Sequence, residues 1–175
     1  MLRKELIAVD RLSIAFLCFL FILTERKHHV NPFIALLAGL IFVPHEIGVM
    51  GLYGNPFWNY NVDIIIHLVT AFLSTFVILS FMLQNFTKRF LFAALIAFTL
   101  TITIGSLLEA AEYWGFRTVG LGEGYLGFGE GDNSKNFGPW EDSSQDTTNN
   151  FLGSFFAILL SYLFFTLRKN SFMES

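Results

Sequence analysis

The sequence predicts an all-α fold: a polytopic membrane helix bundle of about five transmembrane helices, with a long glycine-rich loop before the last. Three observations carry that expectation. Hydrophobic residues make up 54% of the 175, with 22 Phe, and only 14% are charged, a composition far outside the range of a soluble domain of this length. Five apolar stretches reach or approach the ~20 residues that cross roughly 30 Å of hydrocarbon; they run near 6–24, 32–50, 62–83, 90–113 and 147–167. Lys and Arg lie scattered at the ends of these stretches, and a net charge of −3 leaves no basic footprint for nucleic acid. The whole chain, 1–175, reads as one integral membrane domain.

The first stretch is interrupted early. Asp10 and Arg11 leave Leu12 to Leu23 as its unbroken apolar run, so it spans if those two sit among the headgroups, where Arg can snorkel. A re-entrant or interfacial segment is the alternative. The run ends in Thr24-Glu25-Arg26-Lys27 with no small residues of the A-x-A kind, so a span is expected and not a cleaved signal peptide. Cys18, the single cysteine, has no internal disulfide partner and reads as a small packed hydrophobe.

The second stretch opens on Asn31-Pro32, a cap followed by proline at the first helical position. Near its far end stand Pro44, His45 and Glu46. Two outcomes are open: a mid-helix proline bends the axis and turns these polar groups inward, or Pro44 ends the span and leaves them in the headgroups.

In the third stretch Asp63, His67, Thr70 and Ser74 fall at i, i+4, i+7 and i+11, one polar stripe on an apolar helix. Asp63 alone would serve as an N-terminal charge facing free amides. His67 one turn deeper favours a paired or ligating role. Carboxylates are rare in such segments, because an unpaired charge in hydrocarbon costs several kcal/mol.

The fourth stretch carries Gly105, Glu109 and Glu112 on one face. Two glutamates at i and i+3 repel unless a metal ion, Arg11, Arg117 or a shared proton intervenes. Gly105 would admit a second helix just below them.

The loop, 114–146, holds eight glycines between Gly115 and Gly138. It is either a lid over the site or a solvated connector. Gly122 to Gly127 fits G-x-G-x-x-G, but without a preceding strand the spacing carries no dinucleotide reading. Asp132-Asn133-Ser134 lacks the rest of a calcium loop. Beyond it Asp142, Asp146, Asn150 and Gly153 align at i, i+4, i+8 and i+11, and Ala157 and Ser161 continue a stripe of small residues. Helix is expected to begin near Pro139, which puts Asp142 a turn above Asp146.

Antiparallel spans put His45, Glu46, Asp63, His67, Glu109, Glu112, Asp142 and Asp146 on one side of the membrane, with Trp58, Trp114 and Trp140 as an aromatic belt. Arg26, Lys27, Lys88, Arg89, Arg168 and Lys169 mark the other surface, against Arg3, Lys4, Arg11, Arg117 and Lys135 on the site side. By the positive-inside rule this makes the site extracytoplasmic and the C-terminus cytoplasmic.

These residues resemble a family. Asn61 to His67, Leu108 to Trp114, Tyr125-Leu126-Gly127 and Trp140-Glu141-Asp142 with Asp146 through Gly153 are similar to the uncharacterised YjdF-like inner-membrane proteins. More distantly they are similar to VanZ-like proteins, which show an Asp with His four residues on and an Asp with Asn and Gly four and seven residues on. The resemblance covers the last two thirds of the chain and implies a multi-pass inner-membrane protein with the same acidic residues at its site. The glycine-rich stretch between Leu126 and Trp140 is longer than the pattern of that family. VanZ-like members are associated with glycopeptide tolerance, which points toward envelope lipids.

Three functions compete. The first is a metal-dependent enzyme acting on a lipid or lipid-linked envelope substrate. A divalent metal (Zn, Mn, Fe or Mg) would be held by Asp63, His67, Glu109, Glu112, Asp142 and Asp146, with Glu109, Glu112 and Asp146 as catalytic groups and His45, Glu46, Asn150 and Arg11 in support. Neither H-E-x-x-H nor G-x-S-x-G is present. The second is an ion- or proton-coupled transporter, since membrane carboxylates mark ion paths. Against it, the inner halves of the third and fifth spans carry only Thr, Ser and Phe as signals, and no inverted repeat is evident. The third is a scaffold or binding subunit in which acids, His67 and Arg11 satisfy one another.

Overall fold

A computed structural model describes residues 30–47, 61–119 and 138–171. The first expected span, Arg11 and the glycine-rich stretch at 120–137 lie outside the described residues. Among those described, regular structure is helical throughout: α1 (Pro32–Leu40), α2 (Val43–Ile47), α3 (Asn61–Asn85), α4 (Phe90–Val119) and α5 (Pro139–Ser171). Among the described residues, three stretches are long and apolar enough to cross a membrane, Val62–Asn85, Phe90–Trp114 and Trp140–Leu167.

The second expected span, 32–50, is a broken helix over its described part. Asn31 caps α1 by accepting from the Phe33 N–H at 2.8 Å, with Pro32 next. Helix stops at Leu40 and resumes at Val43. Pro44 explains the break: it has no N–H for the Leu40 carbonyl four residues back, and its ring crowds that carbonyl. Ile41 keeps right-handed helical dihedrals, φ −56° and ψ −38°, and helix continues to Ile47 with none of its residues buried.

α3 and α4 form a tight antiparallel hairpin. Phe86 and Thr87 donate to the Met82 carbonyl, and the Lys88 ammonium bonds the Leu83 carbonyl at 3.1 Å, a cation on the negative end of a helix. The Arg89 N–H then bonds Thr87 Oγ1 at 3.1 Å, which starts α4. Alongside, Leu79, Phe90, Ala93, Ala94 and Ala97 make a buried core. The three alanines give α4 a flat face on which α3 and α5 can lie close. Val30, Ile34 and Ala38 pack α1 on Val77 of α3.

α5 begins after Gly138, whose φ of +91° favours glycine, and the Asp142 N–H bonds the Gly138 carbonyl at 3.1 Å. Its small-residue stripe is an interface: Gly153, Ser154 and Ala157 are buried. A Cβ on Gly153 would collide with the Leu68 carbonyl oxygen and lie 3.1 Å from the Phe72 amide nitrogen. α5 therefore rests on the backbone of α3. On its other flank Asn150 sits over Gly105, where a Cβ would come within 2.8 Å of the Asn150 amide nitrogen. The close approach expected at Gly105 is made by α5.

The outer faces are apolar. Leu91, Phe92 and Leu95 of α4 and Phe155, Leu159 and Phe164 of α5 are exposed, as suits side chains solvated by acyl tails. α4 runs to Val119, beyond the apolar stretch that ends near 113, and α5 starts at Pro139, before the one that begins at 147. Both helices therefore continue past the apolar stretches that mark the hydrocarbon.

Candidate functional site

His67 is the hub. It lies on the second turn of α3, about 7.5 Å below Val62 at 1.5 Å per residue, and its side chain is 22% exposed. Three carboxylates surround the ring. Asp63, one turn before it on α3, brings Oδ1 to 3.6 Å from Nε2. Asp146 of α5 brings Oδ2 to 3.7 Å from the same nitrogen. Glu109 of α4 approaches the opposite nitrogen, with Oε1 3.6 Å from Nδ1. Three separate helices thus contribute to one imidazole.

The acids are deeply buried: Asp63 is 6% exposed, Glu109 4%, Asp142 5% and Asp146 3%. Such groups survive burial only with compensating charge or hydrogen bonds. Each of the four has a partner. These separations are ion-pair contacts longer than ordinary hydrogen bonds.

Packing fixes who meets whom. Gly153 seated on Leu68 holds α5 against α3, and Asp146 is two turns up α5 from that contact, beside His67. On the α4 side, Asn150 over Gly105 sets an antiparallel register in which one turn toward the site brings Asp146 opposite Glu109. Phe90 against Phe165, with ring centroids 5.3 Å apart, keeps the same register at the far end. Between α3 and α4, Thr75 donates to Thr101 at 3.0 Å in a buried bond. Two turns from it lie His67 and Glu109, in that same pairing.

Among the described residues, one group of side chains offers ligand atoms all within 4.8 Å of one another: Asp63, His67 and Asp146. Atoms bound to one zinc at 2.0–2.2 Å sit about 3.0–3.5 Å apart, depending on geometry. The two carboxylate contacts to Nε2, at 3.6 and 3.7 Å, lie a few tenths of an ångström outside that spacing, and the whole group lies within 4.8 Å. His with two carboxylates is a donor set for Zn, Mn or Fe.

The other expected site residues fall around this centre. Asp142 is buried one turn before Asp146 on α5, and Glu112 is half-buried one turn beyond Glu109 on α4. Asn150 is buried beneath the acids against Gly105. His45 and Glu46 are half-buried on α2, outside the group of mutually close ligand atoms. Along the expected stripe on α3, Asp63 is buried and His67, Thr70 and Ser74 are half-buried, with the Thr70 hydroxyl oxygen enclosed; Ala71 and Thr75 beside them are fully buried. Sequence reading missed Asn149, Thr75, Thr101 and Ser154, all buried. Asn149 and Ser154 each follow or precede the small-residue stripe by one position, which was the available signal.

At the mouth Tyr113 packs edge-on against Trp114 and Trp140, at 6.0 and 6.2 Å between centroids. Both tryptophans are exposed, an arrangement suited to the headgroup level.

No curated protein and no solved structure matches the chain significantly. A family model described as "Predicted membrane protein (DUF2238)" matches residues 3–167. That match takes in nearly the whole chain, including every residue around His67, and the chain belongs to the DUF2238 family of membrane proteins.

Proposed function

We propose that Asp63, His67 and Asp146 bind a divalent cation, and that the protein is a metal-dependent membrane enzyme acting on a lipid or lipid-linked phosphate of the cell envelope. The observation that carries this reading is the convergence of two buried carboxylates on a single nitrogen of His67, at 3.6 and 3.7 Å. An imidazole flanked this way presents its lone pair and two anionic oxygens to one point. A cation there would polarise a phosphoryl oxygen or activate a water molecule, and a carboxylate that is not a ligand, Glu112 or Asp142, would serve as base. The depth of the site below the helix ends, and the Tyr113, Trp114 and Trp140 cluster, support a substrate whose polar head lies at the membrane surface. The excess of Lys and Arg at the opposite helix ends supports an extracytoplasmic site and a cytoplasmic C-terminus, and the likeness to YjdF-like and VanZ-like proteins supports an envelope setting.

One observation favours a second reading. Glu109 lies 3.6 Å from Nδ1, so both ring nitrogens face carboxylates, as in an imidazolium ion pair that needs no metal. The protein would then be a scaffold or binding subunit built on a structural polar knot.

Metal analysis of detergent-purified protein separates the two. The enzyme reading expects about one ion per chain, lost in His67→Ala and in Asp146→Asn, together with phosphate release from phospholipid or lipid-pyrophosphate vesicles that stops when the ion is chelated. A metal-free wild type that takes up no added Zn or Mn would favour the ion-pair knot.

A further inference from the structure

We infer that Glu109 is a positioning residue: it holds the proton of His67 on Nδ1 and so turns the Nε2 lone pair toward Asp63 and Asp146. This rests on the cation-site reading, and it reassigns Glu109 from direct ligand or base to the partner of the ligand.

The geometry divides the ring in two. Asp63 and Asp146 both approach Nε2, whereas Glu109 alone of the three approaches Nδ1. The two ring nitrogens lie on opposite edges of the imidazole, so a carboxylate at Nδ1 stands away from a cation at Nε2. Consistently, Glu109 is absent from the group whose ligand atoms are mutually close, although it is 4% exposed and no farther from the ring than the other two acids. A neutral imidazole binds metal through one nitrogen and must carry its proton on the other. A buried carboxylate at the second nitrogen selects that tautomer, fixes the ring plane and raises the basicity of the ligand.

The backbone supports the assignment. Glu109 stands one turn from Gly105, whose missing side chain lets Asn150 pack against α4, and two turns from Thr101, which is bonded to Thr75 of α3 at 3.0 Å. Both neighbouring helices are thereby pinned to α4 within two turns of the carboxylate. A positioning residue requires such a rigid mount. Glu112, one turn on, has no equivalent pair of anchors among the described residues.

The test uses full-length protein in detergent, with wild type, Glu109→Gln and Glu109→Leu compared. Nitrogen NMR of ¹⁵N-histidine protein without metal, with the His67 signals identified from His67→Gln, reads the proton directly. Nδ1 is expected to carry it in the wild type, to keep it in Glu109→Gln, whose amide oxygen still accepts, and to lose it to Nε2 in Glu109→Leu. Zn and Mn titrations are expected to show affinity about 10–100-fold weaker in Glu109→Leu, with Glu109→Gln closer to the wild type. A wild-type His67 protonated on Nε2 alone, or an unchanged Nδ1 proton in Glu109→Leu, overturns the assignment. Failure of the wild type to bind either metal would defeat the cation site by itself, while the NMR result still decides whether Glu109 orients the ring.

Discussion

Gly153 of α5 lies against the Leu68 carbonyl of α3, so close that a Cβ would overlap the oxygen. Leu68 is the residue after His67, so this contact fixes the height and spacing of α5 where Asp146 reaches the imidazole. Gly153→Ala should therefore force the two helices apart. Overpacking of this kind costs about 1–3 kcal/mol. Thermal unfolding in detergent should fall accordingly, and cation affinity should drop with it because Asp146 retreats from Nε2. Unaltered stability and affinity would mean that the backbones do not touch there.

Gly105→Ala makes a sharper comparison. The added carbon would meet the Asn150 amide nitrogen at 2.8 Å, the end of a side chain that can rotate, whereas at Gly153 it meets backbone. The cost at Gly105 should be clearly smaller than at Gly153, and Asn150→Ala should relieve it. Equal losses at both glycines would contradict the close backbone contact assigned to Gly153 alone.

The Thr75 to Thr101 bond is buried between apolar helix faces, with Thr75 fully enclosed. Thr75→Val or Thr101→Val alone strands one hydroxyl and should cost about 1 kcal/mol, while the double variant should cost less than the two singles added. A double-mutant cycle of chemical or thermal unfolding reads the coupling, for which membrane helices give about 0.6 kcal/mol on average. Strict additivity would show that the hydroxyls do not interact.

Much of the site was legible in the sequence because helical spacing is strict. Asp63 with His67, and Asp146 with Asn150 and Gly153, lie on shared faces whatever the bundle does, and antiparallel spans bring those faces to one end. What spacing leaves open is rotation about the helix axis. Glu109 and Glu112 are three residues apart on one broad face, and only the seating of Asn150 over Gly105 selects Glu109 for the imidazole. On α3 the spacing likewise did not mark Ala71 and Thr75, which are more deeply buried than Thr70 and Ser74 beside them, since the depth of burial depends on where the neighbours stand. Pro44 signalled a bend or a stop; helix breaks at Leu40 and resumes at Val43, with His45 and Glu46 half-buried. Helix ends are the least visible feature, because hydropathy marks where hydrocarbon ends and α4 carries on to Val119.

X-ray absorption fine structure at the metal edge, on protein loaded with one equivalent of Zn, tests the central claim most directly. One imidazole nitrogen and carboxylate oxygens at about 2.0–2.2 Å are expected, with the imidazole scattering abolished in His67→Ala and the oxygen shell altered in Asp146→Asn. A spectrum of fully hydrated ion, or one that both substitutions leave unchanged, would contradict a cation held between α3 and α5.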